Sequence, residues 1–223
     1  MRTWHLAHLT RRRLLDEGLV EVSLSVPPPV WEAFSRPGQF TRVRLAGSEA
    51  PFAIASPPGS RAFDYLVRRG AGVSDVLASL PEGAPVEVAA PEGRGFPVDE
   101  ARGRDLLLVC TGTALAPCRS VLHDVARRRA EFGRVTLLQG QRSPRQVPWL
   151  DELRALPAVQ IHTVVAEGDE GWAGPRGLVQ SLVPGAISPD TVAFLVGQRE
   201  MTDEVAALLE RGGVSRGRVF LNV

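Results

Sequence analysis

The residues best suited to chemistry lie between Leu106 and Ser120, in the run LLLVCTGTALAPCRS. Leu106–Cys110 is an apolar stretch suited to a strand buried on both faces. Thr111-Gly112-Thr113-Ala114 is a loop of small residues. Pro117 stands where a helix begins, a position that tolerates a missing N–H. Strand, tight loop and helix N-terminus together make an anion-binding corner: free N–H groups and the positive end of the helix dipole meet a pyrophosphate. The same pattern also serves as an ordinary strand-to-helix turn in an α/β domain, and the local sequence leaves both readings open.

Two styles of element must position that corner. Up to about Val98 the segments are short and strand-like: Thr3–Thr10, Leu19–Val26, Gln39–Leu45, Phe52–Ser56, Ala62–Arg68 and Pro85–Ala89. Pro27-Pro28-Pro29, Pro37-Gly38, Pro57-Pro58-Gly59 and Glu82-Gly83 punctuate them. Val20–Val26 alternates apolar and polar residues, as an antiparallel sheet with one wet face requires. One helical stretch, Ser74–Ser79, interrupts these strands, and together they imply a small barrel or sandwich.

From Asp105 strand and helix alternate. Strands are expected at Asp105–Cys110, Val135–Gln139, Val159–Val165, Thr191–Val196 and Arg218–Leu221. Helices are expected at Pro117–Phe132, Trp149–Leu156, Leu178–Val183 and Glu200–Arg211. That rhythm specifies a parallel sheet covered on both faces, with ligands at the carboxyl ends of its strands. The expected boundary lies in the loop Asp99–Arg104, giving domains 1–100 and 101–223.

Composition removes several classes. The 223 residues carry 26 Lys+Arg against 25 Asp+Glu, so bulk charge selects neither nucleic acid nor membrane. Arg11–Arg13 and Arg127–Arg129 read as solvated faces. Cys110 and Cys118 supply neither an iron–sulfur quartet nor a zinc site, and Cys110 reads as a small buried hydrophobe. His5, His8, His123 and His162 are scattered, so no metal site is expected. No apolar run approaches the roughly 18 residues of a membrane span, and no signal-peptide core is present. A cytoplasmic protein with no membrane insertion is expected.

The order of these motifs resembles the ferredoxin–NADP⁺ reductase superfamily along nearly the whole chain. Pro37-Gly38-Gln39-Phe40 is similar to that family's PGQF strand entry, and Pro51–Ser56 to its flavin-binding strand. Gly72-Val73-Ser74 resembles the turn that holds the flavin pyrophosphate, and Pro91–Phe96 the segment before the second domain. Gly112–Pro117 resembles the nicotinamide-nucleotide loop GTGxxP. Trp172–Val179 and Val196–Met201 stand where two later motifs belong. Ala53–Pro58, Asp169–Trp172 and Gly197–Met201 also resemble segments of standalone FAD/NAD(P)-binding oxidoreductases of the kiwifruit ripening-protein type.

The resemblance implies a six-stranded antiparallel Greek-key barrel followed by a five-stranded parallel sheet with helices on both faces. It implies FAD and NAD(P)H as cofactors, hydride transfer between them at the interdomain cleft, and a separate electron acceptor, for instance a protein. The flavin contacts fall on Phe52, Ala53, Ile54, Arg68, Gly72, Val73 and Ser74. The nicotinamide nucleotide falls to Thr111, Gly112, Thr113, Ala114, Pro117, Arg142, Gly197, Gln198 and Met201. For Arg68 and Arg142 a plain surface arginine is the competing reading.

Five positions depart from the family pattern. Ala50 replaces the flavin-strand arginine, Ala53 a hydroxyl residue, Ala114 the second loop glycine, Val196 a cysteine and Val223 a C-terminal aromatic. Ala53, Val196 and Val223 are therefore the candidates for the catalytic cleft, none of them with chemistry of its own. A lost charge-assisted hydrogen bond is worth roughly 1.5–3 kcal/mol, or about ten- to a hundredfold in flavin affinity. Two further readings stay open: a weakened member serving as nucleotide-binding sensor or partner subunit, and a flavin reductase that takes free flavin as substrate.

Overall fold

The computed structural model describes residues 2–16, 18–144, 147–168 and 171–222. Strands β1 (Trp4–Asp16), β2 (Leu19–Ser25), β3 (Phe40–Leu45), β4 (Ser48–Ala53), β5 (Ala62–Arg68) and β6 (Pro85–Ala89) form one antiparallel sheet in the order β4-β3-β6-β1-β2-β5. Just beyond the edges, Ala55 N donates to Asp64 O at 2.8 Å, which draws the two ends of the sheet together as a barrel. Alternate residues point inward, so Val20, Val22 and Leu24 of β2 join Phe63, Tyr65 and Val67 of β5 in one core. Short helices α1 (Pro28–Trp31) and α2 (Val73–Ser79) close the barrel.

β7 (Asp105–Thr111), β8 (Val135–Gln141), β9 (Val159–Val165), β10 (Thr191–Val196) and β11 (Val219–Leu221) form a parallel sheet in the order β11-β10-β7-β8-β9. The apolar run of β7 divides by parity. Leu106, Leu108 and Cys110 pack toward α3 (Leu115–Ala126), whereas Leu107 and Val109 pack toward α5 (Arg199–Arg211). Covering helices on both faces are what this buried strand demands. The α3 face also receives Leu19, Ala55, Leu66 and Phe96 from the barrel side, so the first helix of the parallel sheet lies in the seam between the two sheets. Phe96 stacks on Phe194 of β10 with ring centroids 4.6 Å apart.

Several expected bounds move. β1 runs on to Asp16 because Arg11 and Arg13 are not merely wet: both grip Glu21 of β2, which is only 2% exposed. The flavin-type strand lies earlier than expected, at Ser48–Ala53, since Leu45↔Ser48 pairing turns the chain tightly after β3. α3 stops at Ala126 instead of Phe132; Arg128 leaves helical geometry (φ −137°, ψ 39°) and binds Asp99 and Asp124. The helix expected over Leu178–Val183 is a 3₁₀ stretch, Val179–Gly185, with Pro184 removing a helical donor. The helix after β8, α4, is confined to Leu150–Arg154. No helix among the described residues is long and apolar enough to cross a membrane.

Candidate functional site

The carboxyl ends of β7, β8 and β10 open onto a cleft of about 730 Å³, within the usual range for ligand sites. β7 ends at Thr111, the chain turns through a 3₁₀ stretch at Gly112–Ala114, and α3 starts at Leu115. β10 ends at Val196, and after Gly197-Gln198 helix α5 starts at Arg199. Two helices of 12 and 13 residues thus begin at the same opening; α5 starts directly after Gln198 with the open first-turn N–H groups of a helix end, whereas the Leu115 N–H of α3 is taken by Gly112 O and Thr113 O of the preceding 3₁₀ turn. Their aligned dipoles favour negative charge there.

Glycines set the shape. Thr111 is wedged between Gly140 of β8 and Gly197 beyond β10. A β-carbon on Gly140 would stand 3.1 Å from Thr111 Cγ2, and one on Gly197 would stand 2.7 Å from Thr111 Oγ1. Gly197 also has φ +152°, which side chains rarely adopt. Gly112 has φ +57° and open space where a β-carbon would project. Backbone is therefore laid bare along the rim, as a phosphate cradle requires. Ala114 lies at φ −65°, ψ −4°, so its methyl imposes no backbone strain, and it packs against the α3-face core.

Of the residues expected at the nucleotide, Thr111, Gly112, Thr113, Ala114, Arg142, Gly197, Gln198 and Met201 all line this cleft. So does Arg68, which β5 carries in from the barrel. Its side chain is exposed, and no hydrogen bond or ion pair engages its guanidinium among the described residues. Pro117 does not line the cleft; it is buried in the first turn of α3. Arg142 Nε pairs with Glu167 at 3.1 Å, both side chains well exposed. Gln180 Nε2 donates to Glu204 Oε2 at 2.9 Å, and Glu200 also lines the opening. Two arginines, Arg68 and Arg142, are balanced by two glutamates, Glu200 and Glu204, so the cleft lining carries no strong net charge.

The flavin-type residues lie on the barrel. Along residues 52–55 neighbours face opposite ways. Phe52 and Ile54 pack into the barrel core, Phe52 edge-on to Tyr65 with centroids 6.3 Å apart. Ala53 and Ala55 pack into the core shared with α3, where Val196 is also buried. Ala53 and Val196 thus sit in one apolar cluster with no hydroxyl or thiol contributed by either. Gly72 precedes α2 at φ +63°, and Ser74 spends its hydroxyl on Ala71 O at 3.0 Å, so only main-chain N–H groups of 72–74 are available to an anion. Val223 and the Asp169-Glu170 part of the expected motif lie outside the described residues.

Sequence reasoning missed Gly140, Gln141, Gly177, Leu178, Gln180 and the two glutamates. The strand expected to end at Gln139 runs on to Gln141, so Gly140 is its penultimate residue, paired with Thr111. A glycine interrupting a strand pattern signals such close backbone approach. Trp172 packs locally: its indole donates to Pro175 O at 2.9 Å and its ring covers Gly174. No cluster of three or more metal-ligating side chains occurs among the described residues.

With this geometry in view, known proteins can be set beside it. The oxidoreductase NAD-binding domain family matches residues 108–207. The gamma subunit of sulfhydrogenase 1 from Pyrococcus furiosus is 32% identical over 198 residues, covering 84% of this chain and 68% of that protein. The fruit protein pKIWI502 of Actinidia deliciosa is 28% identical over 226 residues, covering 91% and 70%. A ferredoxin NADP+ reductase from Neisseria gonorrhoeae, solved with bound FAD and NADP, shares the fold with a TM-score of 0.85 at 18% identity, over 99% of this chain and 98% of that one.

Proposed function

The chain belongs to the ferredoxin–NADP⁺ reductase superfamily of NAD-binding oxidoreductases, and from that premise we propose that it is a flavin-dependent NAD(P)H oxidoreductase feeding a separate electron acceptor. The observation that carries the reading is the convergence on one cleft of two helix N-termini, the bared backbone around Thr111 and an uncommitted arginine from the barrel. The proposed domains are 1–100 for the flavin and 101–223 for the nicotinamide nucleotide.

When bound, FAD and NAD(P)H supply the redox chemistry, as hydride acceptor and donor. The chain's own share is holding and shielding. Main-chain N–H groups of Gly72, Val73 and Ser74 would bind the flavin pyrophosphate, with Arg68 neutralising charge in place of the arginine absent at Ala50. Backbone groups of Ala53 and Ile54, with the partly exposed ring of Phe52, would orient the ring system. Thr111–Ala114 would cradle the phosphates of the nicotinamide nucleotide, and Gly197, Gln198 and Met201 would flank its reactive end. Buried Val196 and partly buried Ala53 would keep water from the junction.

Arg142 would meet the adenosine end, and its pairing with Glu167 supports NADH over NADPH: a carboxylate beside the arginine repels a 2′-phosphate. The relative described as a subunit supports an acceptor on another chain. A weaker catalyst acting as a subunit is the second reading, favoured by one observation: neither Ala53 nor Val196 brings a polar group to the apolar junction.

The deciding experiment is the visible spectrum of the purified protein before and after anaerobic NADH or NADPH. A two-band flavin spectrum bleached by NADH bears the proposal out. A protein that neither retains added FAD nor oxidises either nucleotide sinks it.

A further inference from the structure

Two consecutive side chains of α3 reach across the seam to two consecutive carbonyls of the barrel. Arg119 Nη1 donates to Ala55 O at 3.2 Å, and Ser120 Oγ donates to Ser56 O at 2.7 Å. Ala55 and Ser56 lie two and three residues beyond Ala53, where β4 ends. Arg119 and Ser120 lie little more than one turn into the helix that starts at the nucleotide turn Gly112–Ala114. We propose that Arg119, assisted by Ser120, is a positioning residue that holds the flavin-side strand exit against the nucleotide-side helix, and so sets how closely the two cofactors approach. This rests on the reductase reading above and adds to it a residue outside both binding surfaces.

The contacts around Arg119 make it a hub. Its Nη1 also reaches Asp64 Oδ2 at 3.1 Å, and its Nε donates to Glu152 Oε1 of α4 at 2.7 Å. The guanidinium lies over the Trp149 ring, 4.8 Å from its centroid, and the residue is only 8% exposed. Asp64 carries the tie further into the barrel. It accepts from Ser23 Oγ of β2 at 2.6 Å, its N–H donates to Ser56 Oγ at 2.8 Å, and its carbonyl accepts from Ala55 N at 2.8 Å. The segment 55–56 is thus fixed from the barrel by Asp64 and from the helix by Arg119 and Ser120.

A rigid helix transmits that constraint: a shift of its second turn is a shift of its first. Hydride transfer requires the reacting atoms to be held in a near-attack arrangement, and a displacement of about 1 Å can cost about a hundredfold in rate. Neither Ala53 nor Val196 supplies a polar side chain to hold the junction, so orientation through the seam bears more of the task here. Lysine cannot replace the hub. Its single ammonium cannot serve the Ala55 and Asp64 oxygens through one nitrogen and Glu152 through another in the fixed planar fork that arginine provides.

The test compares wild type, Arg119→Lys and the milder Ser120→Ala, each loaded with FAD and mixed rapidly with NADH in the absence of oxygen. The expected result is a 10- to 100-fold slower flavin reduction in Arg119→Lys and about 3- to 10-fold in Ser120→Ala, with dissociation constants for FAD and NADH within about threefold of wild type. Amide exchange, read without any flavin chemistry, should accelerate at Ala55 and Asp64 by about tenfold or more in Arg119→Lys, while β9 keeps its protection. A lowered Tm with wild-type reduction rates in both variants would show a purely structural role and overturn the proposal. Unchanged exchange at Ala55 and Asp64 in Arg119→Lys overturns it as well. A wild-type protein that takes up no flavin defeats the reductase reading itself, and the exchange measurement still decides whether the tie exists.

Discussion

Thr111 and Gly197 approach so closely that a β-carbon on Gly197 would stand 2.7 Å from the Thr111 hydroxyl. Gly197 therefore answers two demands at once, contact distance and a φ of +152°. Gly197→Ala is expected to destabilise the fold by about 1–3 kcal/mol, the usual cost of a residue forced into glycine-only backbone. In a chain of this size that lowers Tm by several degrees. Affinity for NADH should fall with it, since Thr111 must move out of the cleft wall. Thr111→Ala introduced into the same variant removes that contact, but the β-carbon would still meet Met201 Cε at 2.6 Å and the backbone strain remains, so calorimetry should show only partial recovery of Tm. Full recovery would mean that contact alone mattered.

Much of the fold was legible because its strands carry strong local patterns. β5, β6, β9 and β10 have the bounds their alternating or unbroken apolar runs announce. The strand–turn–helix corner was legible for the same reason: buried strand, small loop and proline are adjacent in sequence. Arg119 was not. An arginine inside a helix reads as a wet residue, and its partners come from positions 55, 64 and 152. Glu21 was hidden likewise, since only the β1–β2 register brings Arg11 and Arg13 onto it. Gly140 lay between these cases. Its strand was visible, but not the threonine on the neighbouring strand that needs its missing side chain.

Arg68 is the barrel's uncommitted cation at the cleft. If it replaces the charge missing at Ala50, Arg68→Ala should weaken FAD binding about ten- to a hundredfold, the worth of one charge-assisted hydrogen bond. Fluorescence titration of the apoprotein with FAD measures this. Folding stability should change little, because no partner inside the protein is left behind. Equal flavin affinity in variant and wild type would return Arg68 to an ordinary surface role.

Glu152 gives the seam a pH dependence. Burial works to raise its carboxyl pKa, but hydrogen bonds from His123 (2.6 Å) and Arg119 (2.7 Å) prevail and hold it down, from the ordinary 4.5 to about 2. A depressed carboxyl contributes stability that is fully present above its unfolded value and lost as pH falls through its folded one. Urea unfolding of wild type and Glu152→Gln should therefore differ by a constant amount above about pH 4.5. The difference should then shrink as pH drops from 4.5 toward 2. A gap that persists unchanged at pH 2 would assign the effect to packing instead.

At the other end of the cleft, Glu167 pairs with Arg142, the residue proposed to meet the adenosine end. Glu167→Gln should raise kcat/KM for NADPH relative to NADH by about 3- to 10-fold, by removing one repulsive charge near the surface. Because both side chains are exposed, the gain should shrink in about 1 M salt, where the screening length is about 3 Å. Arg142→Ala in the same background should abolish it. A preference that ignores both substitutions would place the adenosine end elsewhere along the sheet.

Ala114 replaces the glycine that related nucleotide loops carry, yet its backbone lies at φ −65°, ψ −4°, where alanine is at ease. Its methyl also packs against the core shared by the barrel and α3. Ala114→Gly should therefore cost stability, about 0.5–1 kcal/mol, through the greater freedom of the unfolded chain. NADH affinity should stay within about threefold, since the positive-φ position that lets backbone approach a phosphate is Gly112, not residue 114. Gly112→Ala should show the reverse pattern. An alanine at φ +57° strains the turn, and its methyl projects into the open cleft, so nucleotide affinity should drop by tenfold or more. Isothermal titration of the two variants separates the roles. Tighter binding in Ala114→Gly by tenfold or more would mean that the methyl, and not the orientation of the turn, limits this site.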